Sequence, residues 1–228
     1  MKKAWTLKTI AYMHTDFPTK FGVPRQSGLA DTQGTIIFEP EYRSEDAVRE
    51  IEQYSHLWII WGFSESERQE WKATVRPPRL GGNKHVGVFA TRSPFRPNPL
   101  GLSCVKLEKV EFGTGKGPVL HVSGVDMMDK TPIYDIKPYL PYVDSHPEAC
   151  GGFAEEKKNY ELQVEFPEEL LEKVPEEKRK ALLQVLAQDV RPSYQKDAKR
   201  VYGMEYAGLE IKFKVDNMLL IVCEVQAL

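Results

Sequence analysis

The sequence predicts a mainly β protein, one small β-barrel followed by a small C-terminal α+β appendage. Three observations carry this reading. Apolar and polar residues alternate with period two through the first two-thirds, Pro/Gly clusters separate the alternating runs, and the composition shifts near Pro147–Phe153. Many short strands joined by Gly/Pro turns suggest a closed or nearly closed barrel. The expected division places the barrel in residues 1–148 and the α+β region in 149–228.

The strands expected in order are Trp5–His14, Gly34–Phe38, Leu57–Phe63, Val86–Phe89, Leu102–Val110 and Val119–Val125. Leu57–Trp61 is nearly all apolar, which predicts burial on both faces. A helix is expected near Ser44–Tyr54, with Ser44 as cap and Glu45 and Asp46 at its positive end. Beyond residue 149, YELQVEF reads as a strand. Pro167–Asp189 reads as two helices broken at Pro175, with Leu170, Leu171, Val174, Leu182, Leu183, Val185 and Leu186 at helical spacing. Leu209–Val215 and Met218–Val225 read as a hairpin turning at Asp216-Asn217.

Composition narrows the function classes. The 228 residues are 41% hydrophobic and 28% charged, an ordinary globular balance that excludes disordered and fibrous classes. No apolar run approaches the roughly 20 residues that span a bilayer, and the start lacks the continuous apolar stretch of a signal peptide. Three distant cysteines without CxxC spacing argue against a metal site or a disulfide framework, so a reduced cytoplasm is the expected location. The net charge is only −2, yet nine basic residues face two acidic ones between Arg68 and Lys109. That asymmetry admits a focused surface for an anionic ligand as well as an ordinary solvated face.

Several chemistries are missing their signatures. There is no P-loop, no GxGxxG after a strand, no GxSxG and no HExxH, and the five histidines never fall at metal-ligand spacing. Three polar segments remain. Pro24–Ala30 sets Arg25, Gln26 and Ser27 beside a glycine. Gly87–Ser103 carries three prolines in six residues, which fix φ and hold Arg92, Ser93, Arg96 and Asn98 in a rigid loop. In Asp126–Tyr142, a strand over Ile133–Lys137 would put Asp135 and Lys137 on one face and Tyr134 and Ile136 on the other. That pair could be a surface ion pair or an acid/base and electrostatic pair in a pocket. Tyr134, Tyr139 and Tyr142 offer rings on which a base could stack.

PRQSGLA, HLWIIWGFS, GVFATRSPFRPNPLGLS and DxxDxTPxxDIKPYLPY occur in this order, and together they closely resemble the TrmO-type (YaeB-like) tRNA methyltransferases. The later DVRPSYQ and YGM stretches are similar to that family's C-terminal domain. The resemblance implies a non-Rossmann β-barrel and a homodimer that binds S-adenosylmethionine. It also implies methylation of N6 of N6-threonylcarbamoyladenosine at position 37, next to the anticodon, in threonine tRNA. Carried over by motif, the cofactor residues are Pro24, Arg25, Gln26, Phe63, Ser64, Arg92, Leu102, Asp129, Lys130, Thr131 and Pro132. Lys130 stands where the family usually has glycine, so a contact there through the backbone is expected.

The implied chemistry assigns roles. Methyl transfer from a sulfonium depends on in-line positioning, with the cofactor supplying the reactivity. The target nitrogen is conjugated to purine and carbamoyl, so its proton must leave with or before attack. Asp135 is the candidate base, Lys137 the candidate stabiliser of charge on the carbamoyl oxygen, and Tyr139 a further candidate. A guanidinium should pair with the threonyl carboxylate, from Arg76, Arg79 or Arg96. In the C-terminal region Arg191, Tyr194, Lys199 and Arg200 are candidate contacts to the anticodon stem-loop. Two other readings stay open: a non-catalytic RNA- or nucleotide-binding regulator on the same barrel, and an enzyme acting on a small molecule.

Overall fold

The computed structural model describes residues 6–65, 71–77, 84–157, 160–191 and 197–228. Six strands close the barrel: β1 (Ala11–Thr15), β2 (Gln33–Phe38), β3 (His56–Gly62), β6 (Leu100–Glu111), β7 (Val119–Ser123) and β8 (Thr131–Pro138). Their order around it is β1-β2-β7-β6-β3-β8, every pair antiparallel. A two-stranded arm, β4 (Thr74–Val75) and β5 (Val86–Gly87), stands outside it. The expected strand Val86–Phe89 is cut short because Val88–Ala90 turns into a 3-10 helix. The first strand begins only at Ala11; Trp5 lies outside the described residues.

Alternation explains the interior. Leu57, Ile59 and Trp61 point inward with Ala11, Met13, Ile36, Val105, Leu120, Val122 and Ile133. The expectation that Leu57–Trp61 is buried on both sides is corrected, since Trp58 and Ile60 are only half-buried. A barrel strand has one inner face, and the outer face of Trp58 is partly covered by the Tyr139 ring at 5.7 Å. The helix expected near Ser44–Tyr54 is also absent. Two 3-10 turns, Glu45–Val48 and Ile51–Gln53, follow the barrel wall, and Ser44 makes no side-chain cap. Glu50, at φ 66, breaks the helical path, and only Val48 in this stretch is buried.

The C-terminal region places α2 (Glu168–Leu171) and α3 (Glu176–Ala187) beside a sheet ordered β10-β11-β12-β9, whereas α1 (Pro141–Asp144) follows β8 on the barrel, where Trp58 Nε1 donates to Asp144 Oδ2 at 3.0 Å. These strands are β9 (Gln163–Glu165), β10 (Tyr202–Tyr206), β11 (Leu209–Asp216) and β12 (Leu219–Ala227), with β9 parallel to β12. The expected break at Pro175 is there, with Pro175 capping α3. The hairpin turn falls one residue later than expected: Asp216 pairs with Leu219, and Asn217 takes φ 52, a conformation asparagine tolerates.

A second core fills this region, and part of it comes from the N-terminal side of residue 148. Phe17 and Ala30 are buried among Leu182, Leu186, Tyr206 and Phe213, with Phe21 and Val23 packed against them. Burying Phe17 alone contributes about 2–3 kcal/mol. Asp16 O accepts from Ala207 N at 3.0 Å, and Lys178 Nζ sits 2.5 Å from Asp16 Oδ2. Gln188 Nε2 donates to Leu29 O at 2.7 Å, and Asp31 N donates to Gln184 Oε1 at 2.8 Å. The segment from Asp16 to Asp31 is thus shared by both cores. Among the described residues no helix is long and apolar enough to cross a membrane.

Candidate active site

The site is assembled where β6 and β7 part. Below Lys106 the β6–β7 ladder stops, and the loop Pro24–Leu29 fills the gap. Cys104 N donates to Ser27 Oγ at 3.2 Å, and Gly28 N to Gly124 O at 2.9 Å. Both glycines have positive φ, 76 and 78, and a Cβ on Gly124 would stand 3.2 Å from Gly28 N. Glycine is therefore required where these two backbones meet. On its other side the loop is tied to the second core, with the Arg25 guanidinium donating to Asp189 O.

Asp189 is itself held firmly. Arg191 donates from Nε at 2.8 Å and from Nη2 at 3.0 Å, and Tyr160 OH at 3.1 Å. Burial alone would raise the Asp189 pKa, yet the Arg191 and Tyr160 bonds win and hold the carboxyl below its usual range. Arg191, expected at an RNA surface, is engaged here by the Asp189 carboxylate. Its side chain is 10% exposed, because the buried carboxylate requires a partner.

Across the gap the proline-rich loop brings Arg92 to Gln26, Nη1 donating to Oε1. Gln26 in turn donates to Arg25 O. The same loop is braced internally. Phe95 N donates to Ser93 Oγ at 3.3 Å, Ser93 N to Thr91 Oγ1 at 3.2 Å, and Arg96 Nη1 to Thr91 O at 3.3 Å. Phe63 N donates to Pro99 O at 3.0 Å, and the Phe63 ring packs on Trp61 with centroids 4.3 Å apart. Ser64 follows, its N donating to Gly62 O at 3.0 Å. Leu102, by contrast, turns its side chain to the outer face and is 56% exposed.

A polar chain that the sequence reading did not single out runs beneath these loops. Trp61 Nε1 donates to Ser103 Oγ at 2.9 Å, and Ser103 Oγ donates to Asp126 Oδ1 at 2.6 Å. Gly101 makes room for the indole, since a Cβ there would lie 2.2 Å from Trp61 Cε2. Burial pushes the Asp126 carboxyl up to about 6, against the pull of Ser103, two backbone amides including that of Ser27, and the Arg92 charge. A signal was available: Ser103 alternates in phase with inward Gly101 and Val105, and a buried hydroxyl needs a partner.

The Asp129–Pro132 turn is held from β1. Asp129 Oδ1 lies 3.1 Å from His14 Nδ1 and accepts from Thr15 N at 3.3 Å, while Asp129 N donates to Phe17 O at 2.8 Å. Thr131 Oγ1 donates to Met128 O at 2.8 Å. Lys130 sits at φ 62, the left-handed conformation that favours glycine. Its side chain points to solvent.

Asp135 and Lys137 do share a face, Nζ to Oδ2 2.8 Å. Alternation accounts for this pair and breaks only at Tyr134. Trp61 pairs with Ile133 and Ile60 with Asp135, so Tyr134 is bulged and the phase of the strand changes there. Ile133 and Ile136 then turn toward the core, and Asp135 and Lys137 face outward. Their side chains are 44% and 61% exposed, so within one chain the pair lies on the surface. Tyr134 leaves the Ile136 face and lies over Gly62, a Cβ there meeting its hydroxyl at 2.5 Å. Tyr139 flanks the pair, packed on Trp58 and His56.

Of the other expected RNA contacts, Arg76 is exposed and donates from Nε to His85 Nε2 at 3.0 Å. Lys199 and Arg200 are exposed, with the Arg200 guanidinium 5.3 Å above the Tyr202 ring. Arg79 and Tyr194 lie outside the described residues.

Comparison with known proteins now bears on this geometry. The tRNA-methyltransferase O N-terminal domain model matches residues 12–145, and the TrmO C-terminal domain model matches 159–228. The chain belongs to the TrmO tRNA-methyltransferase family. It is 38% identical to the tRNA (adenine(37)-N6)-methyltransferase of Escherichia coli K12 over 223 residues, covering 94% of each chain. It is 44% identical over 175 residues to the protein of the same name from Eikenella corrodens, covering 76% of this chain and 98% of that one. A crystal structure of TrmO from Pseudomonas aeruginosa superposes with a TM-score of 0.80 at 32% identity, covering 100% of this chain and 99% of that one. The six-stranded barrel and its α+β companion are thus the TrmO fold.

The donor set suits the S-adenosylmethionine of such methyltransferases. Arg92 and the Gln26 amide can meet a carboxylate, Asp126 and Asp129 can meet cationic groups, and Phe63 on Trp61 offers an apolar wall for a purine.

Proposed function

We propose that this chain methylates N6 of adenosine 37 in tRNA with S-adenosylmethionine as donor, and that its substrate carries the threonylcarbamoyl group. The observation that carries the reading is the Gln26–Arg92 contact, made by two sequence-distant family motifs over a barrel of TrmO type. Pro24, Arg25, Gln26, Phe63, Ser64, Arg92, Leu102 and Asp129 to Pro132 hold the cofactor, which supplies an electrophilic methyl group when bound. Orientation is the protein's part. The loop bonds at Ser27, Gly28, Arg25 and Arg92 fix the cradle before anything enters it.

Asp135 takes the N6 proton, Lys137 steadies negative charge on the carbamoyl oxygen, and Tyr139 borders the target base. An exposed carboxylate is a poor site for chemistry that excludes water, and this supports a homodimer in which a second copy closes over the pair. Tyr142 and Val143, 84% and 53% exposed beside it, offer apolar surface for that contact. Arg76, Arg79 or Arg96 receives the threonyl carboxylate, and Lys199, Arg200 and Tyr194 contact the stem-loop. The working compartment on this reading is the cytoplasm, where tRNA is modified.

The test uses purified protein, labelled S-adenosylmethionine and two tRNA pools, one able and one unable to carry threonylcarbamoyladenosine. Label in the first pool only, recovered as the N6-methylated nucleoside, is expected. Label in neither pool, despite cofactor binding, would replace the enzyme by the non-catalytic binder. Asp135→Asn should lower kcat about 100-fold or more with cofactor affinity unchanged; undiminished turnover removes Asp135 from the scheme.

A further inference from the structure

The arm formed by β4 and β5 carries two large aromatic rings in water. Trp71 is 51% exposed and Phe89 71% exposed, and the rings lie side by side at 6.1 Å between centroids and 29° between planes. Neither is needed to fill a core. The arm is held at its base by Val88, which is buried and whose N donates to Ala73 O at 2.9 Å. The sequence around the rings is one-sided in charge: from Trp71 to Leu107 there are seven Lys and Arg and no Asp or Glu. Lys72, Arg76 and Lys84 are exposed on the arm itself. Arg76 is steadied by His85, whose Nδ1 faces Thr74 Oγ1 at 3.3 Å.

We infer that the Trp71–Phe89 pair is a stacking platform for an unpaired base of the anticodon loop, with the arm's cations on the neighbouring phosphates. An exposed apolar patch also fits a protein partner, but here the rings stand among exposed Lys72, Arg76 and Lys84, with no carboxylate among the described residues of the arm. Aromatic faces interleaved with Lys and Arg match single-stranded nucleic acid, because every base has a π-face and every linkage a negative charge. Position agrees. Phe89 precedes Arg92 by three residues, about 11 Å of chain at most, and Arg92 reaches the Gln26 loop. A base stacked on the arm is therefore near a neighbour presented to the cofactor site. The inference rests on the proposed tRNA substrate and adds to it the surface that grips the loop.

The test measures three quantities on the full chain and on a Trp71→Ala, Phe89→Ala double variant. These are the Kd for a fluorescent anticodon stem-loop, the Kd for S-adenosylmethionine by calorimetry, and the mass in solution by light scattering. Both side chains are exposed, so the variant should fold as the parent does. The stem-loop Kd should rise about 5- to 100-fold, with cofactor Kd and mass unchanged, and Trp71→Tyr should keep most of the affinity. An unchanged stem-loop Kd overturns the platform. So does a cofactor Kd that rises in step, which assigns the rings to the cofactor site, or a change in mass, which assigns them to a contact between copies. A parent chain that neither binds nor methylates tRNA overturns the functional reading beneath it, an outcome distinct from these because it needs no variant.

Discussion

Asp126→Asn tests whether the carboxyl beside Ser103 and the Ser27 loop is held against its own ionisation. Burial lifts Asp126 from an ordinary 3.8 to about 6 in the folded chain. The folded value is the higher, so between these two limits the folded state holds a proton that the unfolded state has lost, and stability must fall as pH rises. This group's contribution is full below about pH 4, declines through about pH 6 and is lost above. At about 1.36 kcal/mol for each pH unit, the decline amounts to about 3 kcal/mol. Asparagine is isosteric and has no charge to desolvate. Thermal melts of parent and variant from pH 4 to 8 isolate this one group, because every other titration cancels in the difference. Relative to the variant, the parent should lose about 6–12 °C in Tm across that range. A difference that stays flat with pH refutes the assignment, and one that grows in the parent's favour reverses its sign.

Three further outcomes follow from packing. Gly101→Ala drives a methyl group to 2.2 Å from Trp61; it should cost about 1–3 kcal/mol, seen as a lower Tm, and alter the tryptophan emission. Lys130→Gly relieves a left-handed lysine and should raise stability by about 0.5–1 kcal/mol. On the proposed reading, in which the cofactor contact there is through the backbone, calorimetry should find its cofactor Kd within about twofold of the parent. Asp16→Asn weakens the 2.5 Å pair with Lys178, whose side chains are about one-fifth exposed. Urea unfolding should report a loss of about 1–3 kcal/mol, and no change would show the pair to be incidental.

What the sequence disclosed was mostly what repeats locally. The inward set Leu57, Ile59 and Trp61 and its partners Gly101, Ser103 and Val105 are visible as alternation, and Pro175 marks the break between α2 and α3. The 44–54 segment misled because Ser44, Glu45 and Asp46 imitate a helix start, while no apolar stripe follows to bury. The strand Tyr202–Tyr206 has the right alternation, with Tyr202, Met204 and Tyr206 buried, but it is short and follows a charged stretch. The Tyr134 bulge shifts side-chain phase without any residue that announces it. Motif resemblance singled out the loops of the candidate site. It could not show that Arg191 is occupied by Asp189 or that Asp126 lies under Arg92, because both depend on contacts between distant parts of the chain.

The Pro24–Leu29 loop shows why the two cores act as one device. Ser27 and Gly28 are bonded to the barrel at Cys104 and Gly124, whereas Arg25 and Leu29 are bonded to the second core at Asp189 and Gln188. Gln26, which meets Arg92, lies between those two sets of anchors. A shift of one core against the other would therefore pull Gln26 away from Arg92. The apolar contribution points the same way. Phe17, Phe21, Val23 and Ala30 are N-terminal in sequence but pack with Leu182, Tyr206 and Phe213, so removing the C-terminal region would expose them and free two of the loop's tethers. The C-terminal region thus reaches the candidate site through its packing, whatever its own surface binds.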